Sequence, residues 1–152
     1  MKRLKMRSCG AVVLLSLIWL SPASAQTATD TAAIREAVLD YVDGWWAGDV
    51  ERMERCLHPD LVKRNVWTHE GTGRSMLNSS TKSAMVEYTR AGGGSAEIER
   101  KGEVDVQLVA LEGGIANVIA TSARYVDYLH LAKWDGRWVI VNVLWGGRSP
   151  DR

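Results

Sequence analysis

The side chains of this sequence that could ligate a metal or move a proton rarely stand at spacings that make a site. His58, Asp60, His69 and Glu70 are of the types that zinc or a similar ion takes. His58 and Asp60 fall at the end of a predicted helix, whereas His69 and Glu70 are adjacent at the far end of a predicted strand. Neighbouring strand residues point to opposite faces, so the two cannot readily share one ion. No metal and no cofactor is therefore expected. Cys56 reads as a small buried hydrophobe rather than a nucleophile. Ser79 and Ser80 have no histidine or acid at a useful spacing. Gly92-Gly93-Gly94 follows a helix, the wrong context for a phosphate loop, which follows a strand. His130 shares a strand face with Tyr128, Ala132 and Trp134 and reads either as a general base or as a structural histidine.

The aromatic residues say more. Beyond residue 25 the chain carries six tryptophans, four tyrosines and no phenylalanine. Tryptophan and tyrosine each join a polar handle to a large apolar body. Core packing accounts for at least half of them. The others suggest an aromatic-walled pocket for a flat or apolar ligand, apolar apart from a few placed polar groups. Tyr41 and Trp45 share one helical stripe, Trp67 ends the first strand, and Trp134, Trp138 and Trp145 flank or line the last hairpin. Trp46 lies off the stripe, at a rim or an interface. The expected pocket residues are Tyr41, Trp45, Asn65, Trp67, His130 and Asn142. Arg64 faces the other way from Asn65, so only one of the two belongs.

These residues need elements to hold them. Ile34, Val38, Tyr41, Val42 and Trp45 recur at helical spacing, with Asp30 or Thr31 as the cap and Gly48 as the stop. Asp49 caps a second helix with Val50, Met53 and Leu57 inward; it ends at His58-Pro59-Asp60, since proline disfavours helix in the residue before it. Leu61 to Thr68 reads as a strand, with a brief partner at Met76-Leu77. Ser80 to Ala91 reads as a third helix, and Gly92 to Gly94 as a flexible hinge. Glu99 to Leu111 alternates, with Val104, Val106, Leu108 and Ala110 on one face. Gly113-Gly114 turns into Ile115 to Tyr125, a bend leads to Val126 to Trp134, and Asp135-Gly136 is a two-residue hairpin signal before Arg137 to Trp145. Helices followed by a meander of antiparallel strands mean α+β.

The start of the chain reads as an export signal. Lys2, Arg3, Lys5 and Arg7 precede an apolar run from Ala11 to Leu20, and Ala23-Ser24-Ala25 offers a cleavage site after Ala25. The run is about half a membrane span. Residues 1–25 are thus expected to leave, 26–29 to be a disordered lead-in, and 30–148 to form one domain, periplasmic or secreted, with no membrane partner after cleavage. Losing four of the 19 basic residues while keeping all 18 acidic ones leaves a net charge of −3. That argues against nucleic acid, which wants clustered positive charge. Only Cys56 is then left, so no internal disulfide can form.

Two stretches carry a family resemblance. Tyr41 to Asp49, YVDGWWAGD, is followed by Cys56-Leu57-His58-Pro59-Asp60, and Tyr125 to Asn142 reads YVDYLHLAKWDGRWVIVN. Together they resemble the putative lumazine-binding family of the NTF2-like superfamily, over Thr31 to Trp145. The resemblance implies a cone in which N-terminal helices pack on a strongly curved antiparallel sheet, and a homodimer through that sheet. It implies His58-Pro59-Asp60 as a structural corner. It implies little about activity, because one fold hosts many functions. Set against the ketosteroid isomerase pattern of the same superfamily, Tyr41 falls at the carbonyl-polarising tyrosine and Asn65 at the base. An amide cannot abstract a proton near neutral pH. The second acid of that pattern falls near Tyr128 to His130, with Asp127 close by and of undetermined facing.

Three functions follow as expectations. The first is a non-catalytic pocket for a small apolar or planar molecule. The second is an enzyme of the polyketide cyclase or dehydratase type, using Tyr41 and His130. The third is a protein-interaction module with an exposed sheet face.

Overall fold

The computed structural model describes residues 22–148. The charged start and apolar run of the expected signal lie outside these residues. Helix α1 spans Pro22–Ala47 and α2 Val50–Cys56; β1 is Leu57–Thr68, β2 Ser75–Thr81, α3 Lys82–Arg90, β3 Asp105–Glu112, β4 Ile115–Thr121, β5 Tyr125–Trp134 and β6 Arg137–Gly147. A 3-10 segment, Ser95–Arg100, lies between α3 and β3.

Helix α1 starts ahead of the expected cap. Residues 26–29, expected as a disordered lead-in, are helical, with Gln26 donating to the Asp30 carboxylate and Thr31 to the Thr27 carbonyl. Asp30 is no cap. Its carboxylate accepts from Lys133 Nζ at 2.7 Å and from Trp138 Nε1 at 3.0 Å. Those bonds tie α1 to the β5–β6 hairpin and hold the carboxyl down at about 2. The other end stops where the sequence says it should. Gly48 takes φ +67° and the Asp49 N–H reaches back to the Gly44 carbonyl at 2.8 Å, a left-handed close that frees Asp49 to cap α2 through the Arg52 N–H.

The six strands form one curved, unclosed sheet in the order β2-β1-β6-β5-β4-β3. It is mixed rather than wholly antiparallel, because β1 runs parallel to β6. That pairing makes β1 an interior strand between β2 and β6, with α3 packed on it and α1 packed on β6 beside it. The β1–β6 register slips between Leu57 and Val62, across His58-Pro59-Asp60. Proline cannot donate to a strand ladder, so the segment bends there. His58 is buried edge-on against Trp134, ring centroids 4.6 Å apart, with Nδ1 accepting from the Asp60 N–H. The corner expected from the resemblance is thus a packed one.

Bulges decide which residues face inward. In β3 the alternation slips after Leu108, so Leu111 and not Ala110 joins Val104, Val106 and Leu108 against the core. A second slip, between His130 and Leu131, sets Leu131 opposite Ile140 while His130 stays opposite Asn142. The hollow side of the sheet, with Val118, Leu129, Leu131, Ile140 and Val143, closes over Ile34, Val38, Tyr41 and Val42 of α1.

Two expectations about the α1 end are corrected. Trp46, placed off the stripe, is 2% exposed. Gly92 to Gly94, expected as a flexible hinge, is fastened: Gly93 donates to the Tyr88 carbonyl and Gly94 to the Trp45 carbonyl, at 2.8 and 2.9 Å. A Cβ on Gly93, whose φ is +53°, would stand 2.4 Å from the Trp45 oxygen, and one on Gly94 2.7 Å from Trp46 Cε3. The glycines are there so that this backbone can lie on the two tryptophans.

Candidate functional site

The strand register places the polar groups. In β1, Lys63 pairs with Ser80 and Asn65 with Asn78, and all four side chains turn to the hollow side. Across the sheet Asp127 sits between Ala120 and Trp145. Lys63 lies beside Val143, two residues before Trp145 on the intervening β6 strand. Helix α1 lowers Tyr41 onto this junction, and the three polar groups meet there.

The Tyr41 hydroxyl donates to Asp127 Oδ1 at 2.9 Å and accepts from Lys63 Nζ. Lys63 Nζ is also 3.5 Å from the same carboxylate oxygen. It lies 4.9 Å from the ring centres of both Tyr41 and Trp145, within range of attraction between a cation and an aromatic face. Burial holds the Lys63 ammonium below its ordinary pKa, against the pull of Asp127. Burial, with Asp127 beside it, pushes the Tyr41 phenol well up. Tyr41 is therefore a fixed hydroxyl, and Lys63 is an amine whose charge is costly to keep.

These groups form one end of a cavity of about 230 Å³. Trp45, Trp46, Tyr125 and Trp145 supply its aromatic walls, with Met85 and Tyr88 of α3 at the side. The Tyr125 ring stands edge-on to Trp145, centroids 5.4 Å apart, and 5.9 Å from Trp46. The bend between β4 and β5 is held by Ser122, whose hydroxyl accepts from the Tyr125 N–H. The bend aims Tyr125 and Asp127 into the same space.

Of the six expected pocket residues, Tyr41, Trp45 and Asn65 line this cavity. Trp67 shares the Lys63 and Asn65 face but lies beyond the cavity at the open end of β1, 42% exposed, its ring 5.9 Å from that of His69. His130 and Asn142 are on the outer face. There His130 Nδ1 lies 3.4 Å from Asn142 Nδ2, and Asn142 accepts from Arg64 at 3.0 Å. Tyr41 and His130 are thus on opposite sides of the sheet, and a shared site for that pair is excluded. Arg64 and Asn65 do face apart, as expected. Asp127 faces inward, so the cavity holds the acid that Asn65 could not supply.

Sequence reasoning passed over Lys63, Asn78, Ser80 and Tyr125, and left Asp127 unassigned. A signal existed for two of them. Leu129 and Leu131 are the apolar members of β5, so Asp127 shares their side, and choosing Asn65 as inward makes Lys63 inward too. The Cys56 thiol is buried and pushed up to about 12, in keeping with a packing role. Among the described residues no three histidine, cysteine or carboxylate side chains gather where they could hold a metal ion.

The family described as "Putative lumazine-binding" matches residues 29–146. No curated protein matches the sequence. Several solved structures share the fold. An NTF2-like protein of unknown function from Silicibacter pomeroyi is 21% identical, covering 80% of this chain and 98% of its own, at a TM-score of 0.60. One from Shewanella baltica is 14% identical, covering 80% and 96%, at 0.58. A putative scytalone dehydratase from Novosphingobium aromaticivorans is 11% identical, covering 83% and 89%, at 0.54.

Proposed function

The chain belongs to the putative lumazine-binding family of NTF2-like proteins, and from that premise we propose that its cavity binds one small planar molecule without turning it over. The observation that carries this reading is the aromatic-walled hollow with Tyr41, Lys63 and Asp127 clustered at one end. A flat ring system would lie against Trp45 and Trp145, and an oxygen on its edge can accept a hydrogen bond from Lys63. Asn65, Asn78 and Ser80 offer further partners along β1 and β2.

Titration with lumazine and with 2-naphthol tests this. Saturable quenching of tryptophan fluorescence is expected with at least one of them. The ligand should also raise folding stability by about 2.7 kcal/mol at a free concentration a hundredfold above Kd. Neither effect from either compound up to millimolar concentration would count against the pocket. A second reading, elimination or cyclisation chemistry, is favoured by the acid at Asp127 next to a buried amine. It would show as conversion of a hydroxylated aromatic substrate, with Asp127 taking the place first given to His130. Recovery of all such substrates unchanged supports binding alone.

Export and self-association belong to the same proposal. The sequence from Lys2 to Ala25 motivates the first. The second is motivated by Val66, Leu77, Tyr128 and Leu144, all exposed on the outer sheet face around the Arg64–Asn142–His130 cluster. A second copy of the chain covers that face in this reading. Native mass spectrometry of protein from the producing cells reads both. The expected species is a dimer of chains beginning at Gln26; a full-length monomer would refute both, and a complex with another protein would favour an interaction module.

A further inference from the structure

We propose that Lys63 captures its ligand covalently, its amine condensing reversibly with the carbonyl of an aromatic aldehyde or ketone seated in the cavity. The inference rests on the reading of the cavity as a ligand pocket and names the ligand's reactive group. Four observations carry it. Lys63 is the lysine that lines the cavity. Lys82, Lys101 and Lys133 are spent elsewhere, on the Glu54 and Leu57 carbonyls, on Asp43 and on Asp30. The Lys63 side chain is 14% exposed, and an amine kept from water is the kind that adds to carbonyls near neutral pH. Finally, Tyr41 joins Lys63 to Asp127 by hydrogen bonds, which gives the condensation a route for its protons.

The chemistry balances without another reactant. The nitrogen lone pair attacks the carbonyl carbon and the C=O π pair moves to oxygen. One amine proton passes through the Tyr41 hydroxyl to Asp127, and Asp127 hands it on to the oxygen to give a carbinolamine. The carbinolamine then loses its hydroxyl as water, the second amine proton being carried to the leaving oxygen along the same path, and a C=N bond forms. Amine and carbonyl give imine and water, and nothing is oxidised or reduced. Water reverses the step, so the result is storage or transport rather than turnover. The buried carboxylate beside Lys63 stabilises the protonated imine. The aromatic walls hold the carbonyl carbon near the nitrogen, the positioning that makes such additions fast.

The full chain is incubated with 2-naphthaldehyde and sodium cyanoborohydride, which reduces an imine to a stable secondary amine, and the adduct is located by peptide mass mapping. The expected result is one naphthylmethyl group per chain, on Lys63, with a labelling rate that saturates in aldehyde and is suppressed by 2-naphthol. Lys63→Arg should abolish the adduct, and Tyr41→Phe should slow it by about tenfold or more through loss of the proton route. Labelling of wild type spread over Lys82, Lys101 and Lys133, with Lys63 unmarked, overturns the inference whatever the variants do. Saturable 2-naphthol binding with an unmarked Lys63 overturns it too, yet leaves the pocket reading standing. No 2-naphthol binding and no Lys63 adduct removes both.

Discussion

Asp127→Ala is expected to cost about 3 to 5 kcal/mol of folding stability, because it leaves a buried ammonium and a buried hydroxyl facing an empty site. Asp127 is 8% exposed and stands against both Tyr41 and Lys63. The same argument fixes a second variant. Lys63→Met keeps the apolar stem but leaves the buried Asp127 carboxylate with the Tyr41 hydroxyl alone, so it too should cost about 3 kcal/mol or more. The pair Asp127→Ala with Lys63→Met should recover much of what Asp127→Ala loses, since replacing both members of a buried ion pair by apolar groups is often close to neutral. Urea unfolding of the four proteins at pH 7 completes the cycle. A single Asp127→Ala cost under about 1 kcal/mol would show that water reaches the cluster and solvates the ammonium left behind. The pH dependence has a definite sign. Folding lowers the pKa of Lys63 below 10.5, so between the two values the unfolded chain holds more protons and stability rises with pH. Folding raises the pKa of Tyr41 above 10.0, so above pH 10 the folded chain holds more protons and stability falls. Lys63→Met should flatten the rise and keep the fall.

Most of the scaffold could be read in the sequence because it rests on local signals. The Gly48 stop, the Asp49 cap, the Gly113-Gly114 and Asp135-Gly136 turns and the apolar stripe of α1 act within a few residues. What could not be read depends on residues far apart in the chain. The parallel pairing of β1 with β6 joins residues near 63 to residues near 143, and no local pattern announces it. What takes Asp30 away from the capping role is its bonding to Lys133 and Trp138, a contact across the whole domain. The site divides in the same way. Tyr41 and Trp45 followed from the helical stripe, and Asn65 from the family resemblance. Trp67 was chosen as the aromatic that ends the first strand, and the cavity ends before it. His130 and Asn142 were chosen for their chemistry, and the alternation of Leu129 and Leu131 already sent His130 outward.

Trp46→Ala should be the other costly change, at about 3 to 5 kcal/mol, although helical spacing alone placed Trp46 off the stripe, at a rim or an interface. Periodicity assumes that a helix has one apolar neighbour. Near its C-terminal end α1 has two, the sheet on one side and the Gly92–Gly94 backbone on the other, the latter bonded to the Trp45 carbonyl. The buried arc is therefore wider there than at Ile34, and Trp46 falls inside it, 2% exposed and stacked near Tyr125. Trp67→Ala, on the exposed end of β1, should stay within about 1 kcal/mol of wild type. Loss of the Trp46 indole enlarges an aromatic hollow that is already about 230 Å³, so the variant should accept a bulkier planar ligand than wild type while melting sooner. Thermal unfolding with and without ligand measures both effects. Equal stability of the two alanine variants would mean that the glycine turn does not close over α1, and the cavity would then lack the wall that Trp46 and Gly94 provide.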